Sequence, residues 1–159
     1  MDSRSINERY AEIAAELIDK EKALWEIKDS HVSIIYLSSC AEKTHKGKIV
    51  YGLTEKVQEK YKWGIPCDFT ITIFEPNVAR FSEDQIRILL FHELLHIGIE
   101  FKEGDEEAYY TKGHDLEDFK LIIDRYGTDW AYTDLDLEKK ADEAEDAAEA
   151  LEDAEEAEE

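Results

Sequence analysis

The chain has 159 residues, 43% of them hydrophobic, and a formal net charge of -21. That length predicts one main domain with a proper core, and that charge argues against a protein that grips nucleic acid through clustered Lys and Arg. No stretch reaches the roughly 18 unbroken apolar residues of a membrane span. MDSRSINERY at the amino terminus has no apolar signal core, and Cys40 and Cys67 are too few for a disulfide framework. A soluble protein of the reducing cytoplasm, with no membrane contact, is the expectation.

Residues 6–27 set Ile6, Tyr10, Ile13, Ala14, Leu17, Leu24 and Trp25 at three- and four-residue intervals, which predicts an amphipathic helix. HVSIIYLSSC (31–40) and IVYGLTEKV (49–57) are β-branched and aromatic enough for strands, with a turn around KTHKGK between them. DFTITIFE (68–75) alternates, with Phe69, Ile71 and Ile73 on one face and Thr70, Thr72 and Phe74 on the other, and Pro66 and Pro76 bracket it. Ser82 and Gln85 then read as a capping box that opens a helix. Its apolar residues run from Ile86 to Ile97, and Gly98 ends it. Residues 100–113 read as a loop. Residues 114–127 read as a second helix, with acids in its first turn, Arg125 in its last and Gly127 at its end. The fold class is α+β: an N-terminal helix, about three strands, and two core helices.

Residues 134–159 hold fourteen acids against two lysines, a net charge of -12. They are expected to form a separate acidic tail, disordered or transiently helical, after a domain spanning 1–133.

The chemistry lies in RILLFHELLHIGIE (87–100). Buried imidazole and carboxylate groups cost several kcal/mol unless something satisfies them. His92, Glu93 and His96 form H-E-L-L-H, whose i and i+4 imidazoles project from one helix face and can converge on one ion. Zinc favours neutral nitrogen ligands, and a catalytic site uses three protein ligands. Glu93 cannot comfortably reach the same ion, and it suits a general base toward water instead. The metzincin extension H-E-x-x-H-x-x-G-x-x-H is absent, so the third ligand lies elsewhere. His114, eighteen residues past His96, is preferred, with Asp115 and Asp118 as rivals that also suit a helix cap or a partner orienting a histidine. His31, His45, Cys40 and Cys67 are expected in turns or packing, and Arg125 as a helix cap. Tyr109 and Tyr110 are weaker candidates as donors to a developing oxyanion. Strand 68–75, were it at a sheet edge, would suit pairing with extended substrate.

CDFTITI, LLFHELLHIGIE and GHDLEDFKLIIDRYG together resemble the phage metallopeptidase family over roughly residues 30–130, and more distantly the SprT-like proteases. The resemblance implies a minimal zincin-like domain with one Zn2+ per chain. His92, His96 and His114 would be metal ligands and Glu93 the catalytic acid/base. The setting would be a phage or prophage acting in a bacterial host. The leading expectation is a zinc metallopeptidase acting on a peptide or protein substrate. The alternative is a binding protein whose polyanionic tail mimics nucleic acid and captures a basic protein partner, the zinc being structural or silent. The Glu- and Tyr-rich stretch 103–110 suggests a preference for basic peptides.

Overall fold

The computed structural model describes residues 3–114 and 118–133 and, in the acidic tail, residues 136, 143, 145–151 and 153–154. The chain opens with β1 (Arg4–Ile6). Asn7 then caps α1 (Glu8–Lys20), its side chain accepting the Tyr10 N–H, and Tyr10, Ala14 and Leu17 turn to the core. The helix expected over 6–27 is broken at Glu21, which is extended at ψ 114°. A 3-10 turn (Lys22–Leu24) leads to α2 (Trp25–Asp29). The break lets Leu24 and Ile27 both enter the core and leaves Trp25 half exposed. Ile6, expected in the helix, sits on β1 and is exposed.

β2 (Ile34–Ser39) is followed by a small hairpin of β3 (Thr44–His45) and β4 (Lys48–Ile49), the turn expected around KTHKGK. It reverses at Lys46 and Gly47, both at positive φ, which matches the twist of the flanking strands. β5 (Gly52–Lys56) and β6 (Phe69–Phe74) complete a four-stranded sheet in the order β1-β2-β6-β5. β2 and β6 are parallel, and the outer pairs are antiparallel. The expectation of about three strands misses β1, whose three residues are all exposed and whose one apolar residue, Ile6, fitted the helical spacing instead.

β6 is central. Phe69, Ile71 and Ile73 are buried on one face, and Thr72 and Phe74 are buried on the other. Both neighbours are hydrogen-bonded to it, so it has no free edge for substrate, which overturns the edge-strand role for residues 68–75. The edge that lies beside the next helix is β5.

That helix, α3 (Glu83–Leu95), starts at the capping box as expected: Ser82 accepts the Gln85 N–H while Gln85 accepts the Ser82 N–H. Ile86, Leu89, Leu90, Phe91 and Leu94 are buried, and the helix packs on α1 and β5. Cutting the fully buried Phe91 back to alanine would cost about 3–5 kcal/mol. α3 ends with His96 as its C-cap, before the expected Ile97, and the chain passes straight into β7 (Ile97–Phe101).

β7 pairs with β8 (Glu107–Thr111), so the stretch read as a loop is a hairpin. This hairpin returns the chain to its starting point. Lys112 N–H donates to the His96 carbonyl at 2.6 Å, and His114 follows two residues later. The second helix is shorter than expected: α4 (Lys120–Tyr126) begins six residues after His114, buries Ile122 and stops at Gly127, φ 81°. Within the tail, residues 145–151 are helical and exposed. No helix among the described residues is long and apolar enough to cross a membrane.

A candidate metal centre

His92 stands one turn before the end of α3 and His96 caps it, so their rings project from the same face with Nε2 atoms 3.3 Å apart. The β7–β8 hairpin brings His114 across from them. Its Nε2 lies 3.0 Å from that of His92 and 2.9 Å from that of His96. These three form the group among the described residues able to hold a metal ion.

The far side of each helical ring sets its tautomer. Nδ1 of His96 lies 2.7 Å from the Lys112 carbonyl, which only accepts, so Nδ1 carries the proton and Nε2 is a bare lone pair. Oδ1 of Asp118 lies 2.5 Å from Nδ1 of His92, and its negative charge holds the proton on that side too. Burial lowers the His96 pKa to about 4, against a partial offset from the Lys112 carbonyl, so the ring is neutral at neutral pH. Lone pairs crowded this closely repel one another unless a cation lies between them. Nitrogens about 2.0–2.1 Å from a tetrahedral zinc stand about 3.3–3.4 Å apart, close to the 2.9–3.3 Å seen here. The donor set fits such an ion.

Glu93, between the two helical histidines, is buried on the side of β5. Its carboxylate accepts a hydrogen bond from Thr54 Oγ1 at 2.7 Å. Burial raises its pKa, with the neighbouring His92 ring and the Thr54 bond pulling the other way. His92, Glu93 and His114 open onto a cleft of about 400 Å³ whose apolar walls include Tyr51, Leu89 and Trp130.

A family described as putative phage metallopeptidase matches residues 3–146. The chain belongs to that family. No curated protein and no solved structure matches it. A metallopeptidase needs a bound metal, and in this member of the family the histidine trio is the group among the described residues suited to hold one.

Asp118, a rival third ligand, stands outside this trio. Its carboxylate faces the far nitrogen of His92, while Trp130 Nε1 donates to its other oxygen at 2.8 Å. Burial pushes its pKa up, but the contact with His92 and the Trp130 and Phe119 N–H groups outweigh that and hold it below the usual carboxylate value. Asp115 lies outside the described residues. The Trp130 link and the bonds that Gln85 Nε2 makes to the Trp130 and Tyr132 carbonyls have no sequence signal, since they join residues up to 47 apart.

The other candidates fall elsewhere. Tyr109 donates to Glu107 and packs on Phe69. Tyr110 stands over Gly98. Neither lines the cleft, nor does any residue of 103–110. Arg125 pairs with Glu21 instead of only capping α4. His31 is exposed beside Glu107, and His45 is exposed on β3. Cys67 is buried as expected, whereas Cys40 is exposed.

Proposed function

We propose that the chain is a zinc-dependent peptidase, with His92, His96 and His114 holding one Zn2+ and Glu93 as general base. The observation that carries this reading is the convergence of three Nε2 atoms beside a buried carboxylate in one cleft. Zinc bound there would supply Lewis acidity, lowering the pKa of water to roughly 7 and polarising the scissile carbonyl. Glu93 then takes a proton from the attacking water and passes it to the leaving amine, a role that suits a carboxyl group whose pKa is raised. Asp118 and the Lys112 carbonyl keep the protons of His92 and His96 on the outer side of the rings, with Nε2 facing inward. The extended segment 48–52, which lines the cleft, is the surface along which a peptide backbone would lie. The substrate in this reading is a peptide or protein, and a reaction in the cytoplasm of a bacterial host would agree with the family's phage description.

The test is zinc per chain by elemental mass spectrometry together with cleavage of fluorescein-labelled casein. The parent is expected to hold about one zinc and to cleave. Glu93→Gln should hold the same zinc and lose on the order of 10²–10⁴-fold in rate. A Glu93→Gln chain that cleaves like the parent removes Glu93 from the mechanism, and a parent that takes up no zinc removes the reading altogether.

A further inference from the structure

We infer that Thr54 and Gly52, both on β5, are positioning residues for Glu93, an inference that rests on the general-base reading above. Gly52, Thr54 and Lys56 alternate along β5 and share the face that carries Ile73, Ile71 and Phe69 on β6. α3 packs against that face. The Glu93 side chain therefore leaves α3 toward a strand, and two features of that strand receive it.

The first feature is space. A Cβ on Gly52 would lie 2.9 Å from Glu93 Oε1 and 3.1 Å from Cδ and Cγ, closer than side chains pack. Any larger residue at 52 would have to push the carboxylate aside. Glycine at 52 leaves the room beside the backbone that the carboxylate occupies.

The second feature is a hydroxyl with two partners. Thr54 Oγ1 lies 2.7 Å from Glu93 Oε2 and 2.9 Å from the Glu93 backbone carbonyl. A hydroxyl has one proton, so it serves one of these acceptors at a time. Directed at Oε2, it fixes the ionised carboxylate. Turned to the carbonyl, it presents an oxygen lone pair to Oε2, where a protonated Glu93 finds an acceptor. The same side chain thus holds Glu93 in both states that a general base passes through, without moving the backbone. Neither residue touches the three histidines in the contacts above, so metal affinity is not the property they control.

The experiment compares Thr54→Val, Thr54→Ser and Gly52→Ala in the full chain loaded with zinc. It has three readouts: zinc per chain, steady-state kinetics on an internally quenched peptide carrying the casein bond that the parent cleaves, and the Glu93 carboxyl 13C resonance, assigned by its loss in Glu93→Gln. Thr54→Val should keep its zinc and KM and lose on the order of 10–100-fold in kcat, the range expected for one hydrogen bond to a charged group. Thr54→Ser should return to within about threefold of the parent. Gly52→Ala should lower kcat with zinc retained, and both it and Thr54→Val should shift the carboxyl resonance. A Thr54→Val chain with parental kcat and an unmoved resonance overturns the inference. So does loss of zinc with no rescue by serine, which would mark a purely structural role. If the parent cleaves nothing, the peptidase reading fails on its own, and the resonance still decides: a shift in both variants supports the positioning, and no shift overturns it.

Discussion

The two walls of the metal cleft are built on different principles. One is α3, a single helix whose backbone repeat places His92, Glu93 and His96 and whose apolar side chains anchor it in the core. The other runs from Lys112 to Tyr132 and carries His114, which is exposed and lies outside any helix. Its described residues are located by bonds back to the first wall. Lys112 exchanges two hydrogen bonds with His96, Asp118 meets His92, and Gln85 holds the Trp130 and Tyr132 carbonyls. The first wall is bonded along its own helix, whereas the described residues of the second take these bonds from the first.

The sharpest way to break this comparison is to remove one histidine from each wall. A zinc site worth roughly 10–16 kcal/mol over four ligands assigns about 2.5–4 kcal/mol to each, on the order of 10²–10³-fold in affinity. His114→Ala should lose about that much. His96→Ala should lose more, because it also removes one of the two hydrogen bonds that tie Lys112, at the end of β8, to α3, leaving the backbone bond alone. Competition with a zinc-binding dye measures both, and equal losses would show that the second wall stands alone. Asp118→Asn is a milder cut. It keeps the shape but weakens the hold on the His92 proton, and it should lower zinc affinity about 10–100-fold. Gln85→Ala removes half of the capping box and both bonds to the second wall, so stability should fall by about 1–2 kcal/mol in thermal melts. Unchanged stability in that variant would mean the bonds to residues 130 and 132 do not tie the walls together.

The same contrast explains what was legible in the sequence. The first wall is written in local periods: Ser82 with Gln85, the apolar run, and H-E-L-L-H. His114 was legible because so few histidines remained to choose from, not because its location was. Its route back to α3 is the β7–β8 hairpin, which hides because Ile97 to Ile99 look like the last turn of a helix and the acidic GDEE turn has no strand signature. Asp118 was legible as a charge in a helix start. Of its readings as rival ligand, helix cap and partner orienting a histidine, the fold matches the last: its carboxylate meets His92 and Trp130, and α4 starts at Lys120. β6 was read correctly as a strand, but a strand's rank in its sheet depends on partners 13 to 35 residues away, and no local pattern encodes that.

The smallest expected effect concerns the core behind the first wall. Tyr36 on β2 is 7% exposed, and burial raises its pKa well above the ordinary 10.0. The folded state therefore favours the neutral phenol. Its contribution to stability is complete below pH 10 and is lost as pH rises toward the folded value. One such group costs about 1.4 kcal/mol per pH unit in that window, so the parent should lose roughly 1 kcal/mol more than Tyr36→Phe between pH 9 and pH 11. Tyr51 lies on the cleft side, where burial comes first and the charges of Asp136 and Tyr132 add to it. Its shift has the same sign but depends in part on Tyr132 at the end of the second wall and on Asp136 beyond it, so Tyr51→Phe should flatten the alkaline loss less than Tyr36→Phe does. Chemical denaturation at pH 9 and pH 11, followed by circular dichroism, separates the two. If Tyr51→Phe proves the more protective variant, stability at the cleft rim is set by the second wall and not by the core beneath the first.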